Sequence, residues 1–206
     1  MQSGPLPSPR PSDAYCLHRD ALLVRTRRQT GQRMIQDFVD EYRRYRQLGE
    51  RAMAQVSDAT LNRVPMEDGN SIAMIVRHVS GNLASRFTDF LTDDGEKPWR
   101  EREQEFAPCE LRRDEVEAIW RAGWSVLELQ LAALTDADLA RVVTIRQQPL
   151  TVHAALCRSL AHVAYHAGQI VLLARMSAQE SWTSLSIPRG GTTAYNANPT
   201  REKAPT

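Results

Sequence analysis

Cysteine is scarce in this chain. Cys16, Cys109 and Cys157 are odd in number and widely spaced with no CxxC pair, which argues against a disulfide framework or a thiolate zinc site and predicts a reducing, cytoplasmic setting. Long apolar runs are also missing. No stretch approaches the ~20 residues needed to cross a bilayer, and near the N-terminus only "ALLV" stands where a secretory signal needs ~7 to 15 apolar residues. Neither sign of charge dominates, with 26 Lys plus Arg against 25 Asp plus Glu. No global field therefore recruits nucleic acid or an anionic membrane, and partners have to be argued locally. What remains is 206 residues, enough for one domain with a core of its own.

Residues 1–33 carry Pro5, Pro7, Pro9 and Pro11, scattered arginines and no sustained apolar period. They read as a disordered or non-native N-terminal extension, with translation from Met34 as an alternative. An Arg-rich arm for nucleic acid is the rival, weakened by Asp13 and Asp20 and by the lack of an aromatic platform. From Met34 onward, apolar residues recur at the three and four spacing of amphipathic helices. Four such segments are predicted: 34–56, about 70–91 behind Asn70 or Ser71 as cap, 112–134 with Trp120 and Trp124 as core or a dimer face, and about 151–176 behind Thr151.

The second and third segments are joined by about 20 residues, where antiparallel bundle neighbours usually need 2 to 8. A connection that long suits an all-α, four-helix bundle running up, down, down, up with a long crossover between helices two and three. "VVTIRQQPLTV" has β-branched residues around a polar turn and predicts a small hairpin. The expected working domain is 34–178, with 179–206 as a C-terminal arm partly packed on it.

The fourth segment contains "AHVAYHAGQI", in which His162 and His166 stand four residues apart among apolar neighbours. On a helix they differ by about 40° around the axis and about 6 Å along it, so their imidazoles can converge on one ion. Two hydrogen-bonded core histidines are the plainer reading. His78, in the middle of the second segment, lies at a matching depth if the two helices are antiparallel, and supplies a third ligand. Three histidines leave a coordination position free for water or substrate, where an ion lowers the pKa of water or polarises a carbonyl.

Asn82, Ser85 and Asp89 project within about 40° of His78, and Gln169 within about 20° of His162. Asn82, Asp89 and Gln169 are the candidates to orient the shell, with an interhelical hydrogen-bond network as the alternative. His153 projects away from the site and Cys157 reads as a small core residue. Arg86, Arg100 and Arg189 are candidate forks for a carboxylate or phosphate, or else solvated side chains.

A histidine in helix two followed by H-x-x-x-H in helix four resembles the ligand pattern of the DinB-like superfamily, which includes YfiT-type metal-dependent hydrolases. "NSIAMIVRHVSGNLASRFTDFLTDDGEKPWR", "AHVAYHAGQIVLLA" and "WTSLSIPRG" resemble one uncharacterised bacterial branch of it, and the likeness covers about 34–196. The resemblance implies a homodimeric bundle holding a divalent metal on His78, His162 and His166. Zinc or nickel is expected first, iron or manganese next. It also implies a small-molecule substrate, with a low-molecular-weight bacterial thiol as the co-substrate some members look to use. The expectation is a metal-dependent hydrolase or thiol-dependent transferase, without nucleic-acid or membrane partners. The alternative is a non-catalytic metal- or ligand-binding dimeric bundle.

Overall fold

The computed structural model describes residues 34–200; the N-terminal extension expected at 1–33 lies outside them. Seven helices and one two-stranded sheet follow in order: α1 (Met34–Met53), α2 (Asp58–Asn62), α3 (Ile72–Phe87), α4 (Arg102–Glu105), α5 (Arg113–Ala133), β1 (Val142–Ile145), β2 (Gln148–Thr151), α6 (Val152–Ala178) and α7 (Thr192–Ala197). Among the described residues the chain is mostly helical, and no helix is long and apolar enough to cross a membrane.

The four long helices are those expected from periodicity. In α1, Ile35, Phe38, Tyr42, Ala52 and Met53 face inward. α3 starts where the side chain of Ser71 accepts from the Met74 backbone N–H, an N-cap that contributes about 1 kcal/mol. Thr151 does the same for α6, accepting from Ala154 N–H at 3.1 Å. α3 stops at Phe87, short of the expected end near Leu91. The apolar pattern continues through Phe90, which is buried, but the backbone has already turned: Asp89 has φ 50° and its carbonyl accepts from Thr92 and Asp93 N–H.

Contacts between helices give their relative directions. Tyr42 hydroxyl donates to Leu156 carbonyl at 3.0 Å and Phe38 packs edge-on against His153, so α1 and α6 run together. Arg46 pairs with Glu128, while Arg113 donates to the carbonyl of Met53 at 3.1 Å, so α5 opposes α1. Asn82, Arg86 and Phe87 line the same cleft as Ser159, Arg158 and Ala155, so α3 opposes α6. The core fills with aromatic bulk. Trp120 and Trp124 are 1% and 0% exposed, their rings 5.3 Å apart, and Gly49 on α1 leaves the space that Trp120 takes.

The predicted hairpin is present, with β1 antiparallel to β2. Its turn residues Arg146 and Gln147 both take positive φ, a conformation unfavourable for side chains other than glycine. The Asp94 carboxylate, which accepts from both of their N–H groups at 2.8 and 2.7 Å, stabilises it. Cys157 departs from expectation: it is exposed, because α6 turns Ala155, Leu156 and Ser159 inward and leaves position 157 on the outer arc. Beyond α6, Thr183 and Gln55 bond reciprocally, N–H to Oε1 at 2.7 Å and Nε2 to carbonyl at 3.2 Å.

Candidate metal centre

α3 presents His78 to α6, which presents His162 and His166 one turn apart. The three residues each offer one ligand atom, and these lie within 4.8 Å of one another. His162 Nε2 is 3.1 Å from His78 Nε2 and 3.1 Å from His166 Nε2. A tetrahedral ion bound at ~2.0 to 2.1 Å holds its nitrogens about 3.3 Å apart. The two separations from His162 are close to that value.

Proton accounting supports the same conclusion. His78 Nδ1 donates to the Glu105 carboxylate at 2.9 Å, and His166 Nδ1 donates to Gln169 Oε1 at 2.8 Å. In the neutral tautomers so fixed, both Nε2 atoms carry lone pairs directed at His162. One His162 proton satisfies only one of them well, and the Nδ1 of His162 is itself buried without a hydrogen-bond partner. A cation at the convergence point satisfies all three lone pairs. Burial pushes His162 down to about 3, with His166 and His78 adding to the effect. Burial also lowers His166, partly offset by Gln169. Both therefore stay neutral at pH 7, the form that ligates metals.

The support behind His78 is a buried triad. Arg100 donates twice to Glu105, at 2.8 and 2.9 Å, and the side chains of His78, Glu105 and Arg100 are only 7%, 10% and 2% exposed. Burial disfavours the Glu105 carboxylate, yet the hydrogen bonds from His78 and Arg100 outweigh it and hold the carboxyl below its ordinary range. Carboxylate–histidine pairs of this kind fix ring orientation and raise ligand basicity. Glu105 arrives on the short helix α4, which Arg77 fastens to α3 by donating to the carbonyls of Ala107, at 2.9 Å, and Gln104. Phe106, next in sequence, lies against the His78 ring at 4.6 Å between centroids.

Beside the histidines opens a cleft of about 200 Å³ that His78, Asn82, Arg86, Phe87, Phe90 and His162 help to line. Of the residues singled out in the sequence, the structure brings together His78, His162, His166, Gln169 and Asn82. Asp89 falls in the exposed turn after α3, because the helix that would have carried it inward has ended. Ser85 is buried and donates to Gly95 carbonyl at 2.7 Å, which ties the crossover to α3. Arg189 is exposed and outside the cleft. Glu105 was not singled out. It sits in a stretch without apolar period, and its trace in the sequence is Gly81, a mid-helix glycine over which its carboxylate lies.

A family model described as "Protein of unknown function (DUF1572)" matches residues 29–191. The chain belongs to this family. No curated protein matches it. Among solved structures, the crystal structure of a conserved protein from Enterococcus faecalis is similar, with a TM-score of 0.55 and 17% identity over 70% of this chain and 96% of that one. At that identity the likeness concerns the fold. All three histidines, together with Glu105 and Gln169, fall inside the part of the chain that the family covers.

Proposed function

We propose that this DUF1572 protein is a divalent-metal-dependent enzyme of the DinB-like kind, a hydrolase or thiol-dependent transferase. Its metal site is His78, His162 and His166, in a four-helix bundle running up, down, down, up. The observation that carries the reading is the convergence of three Nε2 atoms, two of them made lone-pair donors by Glu105 and Gln169. Nitrogen-only ligation suits zinc, nickel or iron. A divalent ion so held supplies Lewis-acid polarisation of a substrate oxygen or activation of a thiol.

The chain's own groups do the rest. Glu105 and Arg100 hold the His78 ring, Gln169 holds the His166 tautomer, and Phe87 and Phe90 narrow the cleft against water. Asn82, one turn along α3 from His78, offers an amide to a substrate in the cleft. The open cleft favours an enzyme over a closed binding site. The exposed apolar residues Tyr165, Leu172 and Met176 on α6 support the homodimer that the resemblance implies.

Elemental analysis tests this. The purified chain is expected to hold about one divalent ion and His162→Ala none; a His162→Ala protein with full metal content overturns the assignment.

A further inference from the structure

Among the described residues, the cleft beside the histidines is lined by Arg86, Arg100, Arg102, Arg146 and Arg158 and by no carboxylate. Three carboxylates pair with four of these cations from behind. Glu105 takes Arg100, Glu103 takes Arg102, and Glu96 is shared between Arg86 at 3.3 Å and Arg146 at 2.9 Å. Asp94, close by, is turned to the backbone N–H groups of the hairpin. Arg158 is exposed, and its side chain has no hydrogen bond or ion pair among the described residues. Burial lowers the Arg86 guanidinium, Glu96 partly restores it, and Arg100 and Arg146 lower it again. Positive charge is in excess here.

The arginines are also ordered relative to the histidines. Arg158, His162 and His166 follow one another at i, i+4 and i+8 on α6, and so do His78, Asn82 and Arg86 on α3. That spacing places each series along one side of its helix. Because the two helices are antiparallel, both arginines lie toward the same end of the cleft, Arg158 about 6 Å along the axis from His162 and Arg86 about 12 Å from His78. A guanidinium is a planar fork suited to two oxygens of a carboxylate or phosphate. The cleft walls also include Phe87, Phe90 and Ile145, which suit an apolar body. The volume of about 200 Å³ is below that of drug-sized sites.

We propose that this cleft takes a small organic oxyanion, a carboxylate or a phosphate ester. Arg158 holds the charged group, with Arg86 and Arg146 behind it. The apolar part lies on Phe87 and Phe90, and the reacting end reaches His78 and His162. The inference rests on the metal-site reading for what happens at that reacting end, but not for the binding of the anion.

Calorimetric titration of the metal-loaded protein with benzoate, phenyl phosphate and the neutral benzamide tests it. At least one anion is expected to bind saturably and benzamide not at all, and the preferred anion identifies the oxyanion. Arg158→Gln, an exposed change, is expected to weaken that binding at least tenfold with metal content unchanged. Benzamide binding as well as the anions, no saturable binding of either anion, or wild-type affinity in Arg158→Gln overturns the proposal. The same titrations on chelator-treated protein separate the two readings. A chain that holds no metal yet binds anions through Arg158 defeats the metal site alone. A chain that holds its metal and binds anions independently of Arg158 defeats this proposal alone.

Discussion

Helix α3 has two faces that solve opposite problems. Toward α5 it is closed: Ser80 lies so near Gly123 that a Cβ added to the glycine would stand 2.5 Å from Ser80 Cα and 2.9 Å from its carbonyl oxygen. Toward α6 it is open and polar, with His78 reaching His162 across the seam and a cleft of about 200 Å³ continuing beyond Asn82 and Arg86. The difference teaches how a histidine cluster drawn from two helices keeps its spacing. The tight seam fixes the position of α3 through backbone contact, so the open seam does not have to be filled with apolar side chains to hold the helices apart at the right distance.

The largest effect is expected on the open face. Glu105→Gln keeps the shape of the side chain but removes the charge that holds His78 and neutralises Arg100. Loss of such a partner typically lowers metal affinity about 10- to 100-fold. It also leaves the Arg100 side chain, 2% exposed, as a buried cation without its carboxylate, at a cost of about 3 kcal/mol. Competition with a chelator and a denaturant titration read the two effects separately; wild-type metal affinity in this variant would show that the triad does not tune the site.

The closed face is tested by Gly123→Ala. Alanine gains about 1 kcal/mol over glycine in helix propensity, yet here its methyl meets backbone rather than a movable side chain. Overpacking of this kind costs about 1 to 3 kcal/mol, so a net loss of up to about 2 kcal/mol in the metal-free protein is expected, read as a lower denaturation midpoint. A raised midpoint would mean that the α3–α5 seam yields easily and does not position α3.

Periodicity made the helices and the histidine cluster legible, because His162 and His166 share an apolar helix and His78 sits at matching depth on its neighbour. The hairpin was legible from β-branched residues flanking a polar turn, although the positive φ of Arg146 and Gln147 is supported by Asp94, a long-range partner that no local pattern announces. Asp89 was misplaced because an apolar pattern can outlast its helix: Phe90 is buried from a turn, not from an extended α3. Cys157 was misplaced because residue type was weighed above position on the wheel. Glu105 was invisible for a different reason. Its role depends on how the crossover folds back, and the residue that records this, Gly81, lies 24 positions earlier in the chain.

Gly81 lies at the border between the two faces and gives the smallest and most discriminating test. A Cβ there would stand 2.2 Å from Glu105 Oε1 and 2.9 Å from its Cδ. Unlike the backbone that Gly123 meets, this neighbour is the far end of a side chain, which can move, but moving it stretches the bonds to His78 and Arg100. Gly81→Ala is therefore expected to keep or slightly raise the stability of the metal-free protein, through a propensity gain of up to about 1 kcal/mol. Its metal affinity is expected to fall severalfold, on the order of 1 kcal/mol and less than for Glu105→Gln. Two glycine-to-alanine changes in central helices would then differ in stability, with only the one beneath Glu105 weakening the metal without a loss of fold. Equal destabilisation in both, with metal affinity unchanged in Gly81→Ala, would mean that Glu105 is a packing residue and that the His78 ring is held by the helices alone.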